Sequence, residues 1–212
     1  PAKSEIREAP APMARLNILF VVSECVPFAK AGGLADVAGA LPVALAERGH
    51  DVRVVLPRYR VTKKFPAKRL DHVLSVPLGL GHAHGAIFES SLPLPSPAPP
   101  ASPETAAEPA SRTPGGSARV YLLEHDGLYD RDGLYNDAHG DFGDNLARYT
   151  FLSRGALELC KTLDFWPDVI HVQDWPTSLV PIYLNTVERH GRLGRAASVL
   201  TVHNLAYQGW FK

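Results

Sequence analysis

Between residues 17 and 57 the chain carries a pattern that few folds can satisfy. A short apolar run, 17–23, leads into a turn with Pro27 and the pair Gly32-Gly33. Residues 34–48 follow, with Leu34, Val37, Ala38, Leu41 and Leu45 at helical spacing, and then Gly49. A second apolar run, 51–56, stops at Pro57. Runs this short, bounded by turn residues, predict buried strands, and the spacing between them predicts a helix. Gly49 is placed to cap that helix, and Pro42 inside it is expected to kink it. A strand, a helix and a strand in about forty residues is a βαβ unit, which commits the chain to a parallel sheet.

The Gly-Gly pair falls where the first strand turns into the helix. At such a place glycines let the backbone come close to a ligand, and the first helical N–H groups carry a partial positive charge. Lys30 adds a full charge just before the helix. This is the pattern of an anion site, although the spacing is neither G-x-G-x-x-G nor G-x-x-x-x-G-K-[ST]. A merely tight connection is the alternative reading.

Further strands are predicted at 73–78 and 86–92, with His82 and His84 in a turn between them. An i, i+2 histidine pair can ligate a metal, but no further ligand type lies near it, so a solvent-facing hairpin turn is the preferred reading. The basic run 58–69 reads as a solvated loop. At about 93–117 proline, alanine, serine and threonine dominate, a composition that cannot bury enough surface to offset its ordering entropy. It reads as a disordered insertion inside one domain spanning 15–212, with a linker between two domains as the lesser reading. Residues 1–14 read as a disordered tail; its Met13 is a candidate start, and the lack of Met at position 1 suggests a piece of a longer protein.

A strand at 119–124 then precedes a polar loop, 125–141, whose tyrosines and carboxylates suit a hydroxyl-rich ligand; a surface loop tied by Asx turns is the equal alternative. A helix is expected over 145–163, a strand over 167–172, a helix from Pro176 to about 187, and a strand over 198–202.

Composition removes several function classes. Lysine plus arginine equals aspartate plus glutamate, 22 against 22, which gives no reason for a nucleic-acid or anionic-membrane partner. Cys25 and Cys160 lack C-x-x-C spacing and read as free thiols, Cys25 as a small apolar residue at a strand end rather than a nucleophile. No run is long and apolar enough to span a bilayer, and a cytoplasmic location is expected. In an open parallel sheet the carboxyl ends of the strands share one edge, where ligands bind. Glu24, Lys30 and Gly32-Gly33 follow one strand, Asp174-Trp175 another, and His203-Asn204 a third, so these groups are expected to converge on one crevice.

The stretches Ser23-Glu24, Pro27-Phe28, Lys30-Ala31-Gly32-Gly33-Leu34-Ala35-Asp36-Val37, His171-Val172-Gln173-Asp174-Trp175 and Thr201-Val202-His203-Asn204-Leu205-Ala206-Tyr207-Gln208-Gly209 resemble the bacterial glycogen synthase and plant starch synthase family. The resemblance implies a retaining glucosyltransferase with a GT-B fold, two Rossmann-like domains facing a cleft. This α/β chain would be the N-terminal one, incomplete at its C-terminus and inactive by itself. The missing domain would supply most adenine and ribose contacts and an essential glutamate. The reaction implied is glucose transfer from ADP-glucose to the non-reducing 4-OH end of an α-1,4-glucan.

By the same resemblance Lys30, Gly32 and Gly33 would meet the donor diphosphate, with no metal or other cofactor needed. His203 would lie near the reacting carbon, and Asp174 would bind sugar hydroxyls or orient its neighbours. Glu24, Tyr129, Asp36 and Asn204 would serve the acceptor and sugar side. Gln173 departs from the family's usual H-D-W. Two other classes compete with this reading: a non-catalytic glucan-binding module, and a Rossmann oxidoreductase. The absence of G-x-G-x-x-G and of an acidic residue closing the second strand speaks against the oxidoreductase.

Overall fold

The computed structural model describes residues 14–92 and 117–210. The expected tail and the proline-rich insertion lie outside the described residues, save for their boundary positions 14 and 117. In chain order the elements begin with β1 (Asn17–Val21), α1 (Leu34–Glu47) and β2 (Asp51–Pro57). The hairpin β3 (Lys68–Leu78) and β4 (Gly81–Leu92) follows, then β5 (Ala118–Glu124), the short α2 (Asp126–Tyr129) and a two-residue ladder, β6 (Asn136–Asp137) with β7 (Gly140–Asp141). The long α3 (Asn145–Thr162), β8 (Val169–Gln173), α4 (Asp174–Thr177), α5 (Leu179–Asn185) and β9 (Ala197–Thr201) complete it.

Seven strands form one sheet in the order β3-β4-β5-β2-β1-β8-β9. The pairings from β5 through β9 are parallel, and the β3-β4 hairpin is added antiparallel on β5. The predicted βαβ unit is thus present, and the sheet is the Rossmann-like, mostly parallel one expected. Alternation along the strands divides the core into two layers. Ile18, Phe20, Val22, Val52, Val54 and Leu56 pack in one layer with Leu34 and Ala38 of α1. Leu19, Val21, Val55, Ile170 and Val172 pack in the other with Phe151, Leu152 and Ala156 of α3.

From β1 the chain moves to β2 on one side and later to β8 on the other. The strand order therefore reverses between β1 and β8. A crevice must open outside their carboxyl ends, because the connections leave there in opposite directions.

Pro42 sits within α1, which runs continuously over Leu34–Glu47 instead of stopping. Proline lacks the N–H that would bond the carbonyl four residues earlier, here Ala38 O. The Cys25 thiol takes that role, with its sulfur 3.3 Å from Ala38 O. Cys25 is thus more than an apolar filler: it closes a helix carbonyl that a proline leaves open. Burial pushes its thiol up to about 12, so it remains protonated and able to donate.

Several expectations are corrected. The hairpin strands extend further than the apolar patterns, and its turn is at Gly79-Leu80, so His82 and His84 lie within β4 rather than in the turn. The basic run 58–69 is ordered: Arg58 stacks on Phe88 and pairs with Glu124, while Arg60 and Lys63 in a 3-10 turn pair with Asp126, Asp130 and Asp132. The helix expected from Pro176 is two short ones, broken at Ser178. Pro181 cannot donate to Thr177 O, which ends the first of them.

Candidate active-site crevice

The connection after β1 is held by the residue that opens it. Glu24 is 4% exposed. Its Oε2 accepts the amides of Ala31 at 2.6 Å and Gly32 at 2.8 Å, which folds the glycine turn back over the end of β1. Its Oε1 accepts the Tyr135 hydroxyl at 2.6 Å. Burial first, then the neighbouring Tyr149 and Glu24, push that hydroxyl well above the usual phenol range, so it stays a donor. Ser23 Oγ lies 2.7 Å from the same hydroxyl and therefore donates to it. Glu24 is buried beneath the turn and acts on its backbone, which differs from the acceptor-side contact expected of it.

Neither Gly32 nor Gly33 has a positive φ, and a Cβ on either would meet none of the described residues within 4 Å. The fold itself does not demand glycine there; both instead form open wall of the crevice. The Ala31 and Gly32 amides are occupied by Glu24, so the N-terminus of α1 beyond Gly33 is the part that can meet an anion. Lys30 Nζ contacts both oxygens of Asp36 at 2.7 Å, with both side chains more than half exposed. Asp36 is thus the counter-ion of Lys30, and this ion pair lies beside the crevice lining rather than within it, apart from the ligand contacts expected of both residues.

The opposite wall comes from β8 and β9. Asp174 adopts φ of 53°, a left-handed conformation that aspartate tolerates better than most residues. Its Oδ1 accepts the backbone N–H of His203 at 2.6 Å. Gln173, one residue earlier and 1% exposed, contacts His203 Nε2 through Oε1 at 2.6 Å. His171, on the same strand, contacts Thr201 Oγ1 at 2.7 Å. Its pKa is lowered, first by burial and then by His203.

Trp175 forms the floor between the walls, with its ring edge-on to Tyr149 and tilted against Tyr135. The chain beyond β9 crosses it at Gly209, where φ is 68° and a Cβ would sit 2.6 Å from the indole. Only glycine fits that crossing.

The three strand ends therefore do meet. Glu24, Gly32, Gly33, Asp174, His203 and Asn204 border one crevice of about 1250 Å³. That exceeds the roughly 300–1,000 Å³ of a site for one drug-sized molecule and suits a ligand of several rings.

Tyr129 does not take part. It is fully buried, donates to Arg148 O at 2.6 Å and packs edge-on against Tyr59 and Phe151. The tyrosine on the crevice is Tyr135, from the same loop. Its backbone carbonyl accepts from Asn145 Nδ2, and the preceding carbonyl, Leu134 O, accepts from the buried Arg148 guanidinium. The sequence reading missed Tyr135, Arg148 and Gln173 as contributors. The repeated Asp-Gly-Leu-Tyr, at 126–129 and again at 132–135, was the one available signal for Tyr135.

A mostly parallel sheet with helices on both faces, and a polar crevice where its strand order reverses, defines a Rossmann-like ligand-binding domain. The chain belongs to the starch synthase catalytic domain family, which it matches over residues 17–212. Glycogen synthase 1 of Geobacter sulfurreducens is 48% identical over 203 residues, covering 94% of this chain and 36% of that protein. Glycogen synthase of Myxococcus xanthus is 46% identical over 200 residues, covering 92% of this chain and 37% of that protein. Among solved structures, the catalytic domain of starch synthase IV from Arabidopsis thaliana, bound to ADP and acarbose, superposes with a TM-score of 0.70 at 27% identity. The match covers 92% of this chain and 35% of that one. The chain thus spans little more than a third of the relatives it matches. Among the described residues no helix is long and apolar enough to cross a membrane.

Proposed function

We propose that this chain forms one wall of the active site of a retaining glucosyltransferase, which moves glucose from ADP-glucose to the non-reducing 4-OH end of an α-1,4-glucan. The observation that carries the reading is the meeting of the Gly32-Gly33 turn, Asp174 and His203 in one crevice, in a chain of the starch synthase family. The starch synthase IV structure, bound to ADP and acarbose, supports a nucleotide and a glucan-like chain as the ligands.

In this proposal the donor diphosphate approaches the α1 N-terminus past the bare faces of Gly32 and Gly33. Lys30 leaves Asp36 to neutralise the departing ADP, the role a metal ion fills in other transferases. Asp174 fixes the His203 backbone, which sets the imidazole and Asn204 at the rim where the sugar would lie. Trp175 and Tyr135 offer apolar ring faces and a buried hydroxyl beneath it. The remaining nucleotide contacts come from the second domain of the whole enzyme.

A chimera tests this directly. The first third of the Geobacter sulfurreducens relative is replaced by this chain, and glucose incorporation from ADP-glucose into glycogen is measured. The expectation is turnover that Lys30→Ala lowers by about 100-fold, the scale of losing one transition-state donor. A well-folded chimera without turnover, beside an isolated chain that binds maltotriose in calorimetry, would instead identify a glucan-binding module.

A further inference from the structure

His203 is held at two points by two successive residues. Asp174 Oδ1 takes its backbone N–H, and Gln173 takes its ring, each at 2.6 Å. Gln173 is itself fixed at the end of β8. Its backbone N–H donates to Thr177 Oγ1 at 2.7 Å, and its carbonyl accepts the same hydroxyl at 2.8 Å. With 1% exposure its amide cannot turn to water, and among the described residues its Nε2 is buried without a partner. The structure sets Oε1 toward the ring, and an amide oxygen only accepts; the amide turned over would instead donate its Nε2–H to the ring and require the His203 proton on Nδ1. An accepting oxygen at Nε2 requires the proton to be on Nε2. In the neutral ring Nδ1 is then left with the lone pair.

We propose that Gln173 is a positioning residue that holds the His203 imidazole as its Nε2–H tautomer and so presents Nδ1 as a hydrogen-bond acceptor. The consequence is a chemical preference at the rim of the crevice. A ligand hydroxyl that donates is matched by Nδ1, whereas a carbonyl or ether oxygen placed there faces a second lone pair. The use of that preference for a sugar hydroxyl rests on the function proposed above; the tautomer itself does not.

The test uses the whole chain with ¹⁵N-labelled histidine, at about pH 8 so that an ordinary imidazole is neutral. Two-bond nitrogen–proton spectra report which ring nitrogen is protonated, and the His203→Gln spectrum assigns the signals. His203 should carry its proton on Nε2 and show that proton as a downfield signal slow to exchange with water. Gln173→Glu, whose carboxylate also only accepts, should keep both features. Gln173→Met, close in shape but without an acceptor, should lose the slow proton signal. A proton on Nδ1 in the parent chain, or a slow signal that survives Gln173→Met, would overturn the proposal. If Gln173→Met does not give a folded amide spectrum, the tautomer in the parent and in Gln173→Glu decides alone. Maltotriose added to the same sample separates the two readings. An Nε2–H tautomer with no response of His203 to the sugar would leave this inference standing and count against the glucan reading.

Discussion

Replacing Glu24 isolates the interaction that shapes the glycine turn. Two of its bonds join backbone amides to a carboxylate and the third joins it to a buried phenol. Hydrogen bonds to a charged group contribute about 1.5–3 kcal/mol each. Ala31 and Gly32 are exposed, so water can take their amides once the carboxylate is gone, and Ser23 remains beside Tyr135. With Ser23 able to take over the phenol, two bonds at the low end of that range remain, and Glu24→Ala should cost about 3 kcal/mol. For a chain of this size about 1 kcal/mol corresponds to 2–4 °C, so the midpoint of thermal unfolding should fall by roughly 6–12 °C. Glu24→Gln separates charge from geometry. One amide oxygen can still accept from both backbone groups while the NH₂ donates to Tyr135, so only the charge assistance is lost, about 1 kcal/mol. Thermal unfolding followed by circular dichroism gives the ranking, and hydrogen exchange at Ala31 and Gly32 gives the location. If all three proteins melt within about 1 °C of one another and the two amides keep their protection, Glu24 does not hold this turn.

Two further outcomes follow from neighbouring contacts. Cys25→Ala should cost about 0.5–1 kcal/mol less in a Pro42→Ala background than in the parent, because an alanine in place of Pro42 restores the N–H that Ala38 O lacks. Equal costs in a urea-unfolding double-mutant cycle would dissolve the Cys25–Pro42 link. For His171, the lowered folded-state pKa means that the unfolded chain takes up a proton which the native ring resists. Its contribution to stability is complete above about pH 6.5 and is lost as pH falls through the folded pKa. The urea midpoint should therefore drop less between neutral and mildly acidic pH in His171→Gln than in the parent; identical drops would contradict the assignment.

Local patterns made the sheet legible. The apolar runs, the Gly49 stop and the Pro57 stop each report on residues adjacent in the chain, and β1, α1 and β2 fall where those signals place them. The convergence of Glu24, Asp174 and His203 was also readable, because a parallel sheet puts every carboxyl end on one edge. Less legible was which partner each group finds. Lys30 turns to Asp36, six residues on, and Glu24 takes the amides of Ala31 and Gly32, the second of which was expected to meet a diphosphate. Pro42 and Cys25 are 17 positions apart (42 − 25), and neither residue alone tells that one completes the hydrogen bonding of the other.

The loop before α3 divides the two kinds of information most sharply. By itself the sequence determined that 125–141 carries Asp-Gly-Leu-Tyr twice, six residues apart, with tyrosines and carboxylates of a kind that suits a hydroxyl-rich ligand. It offered no means of choosing between the two tyrosines, which have the same neighbours on their N-terminal side. The tertiary structure chose. The buried Arg148 draws in the carbonyls of both Leu128 and Leu134, but Tyr129 is driven into the layer between sheet and α3, while Tyr135 is carried on to the end of β1. The physical reason is that each phenol goes where its hydroxyl finds a buried acceptor. For Tyr129 that acceptor is a helix carbonyl, and for Tyr135 it is a carboxylate 111 residues away in the chain.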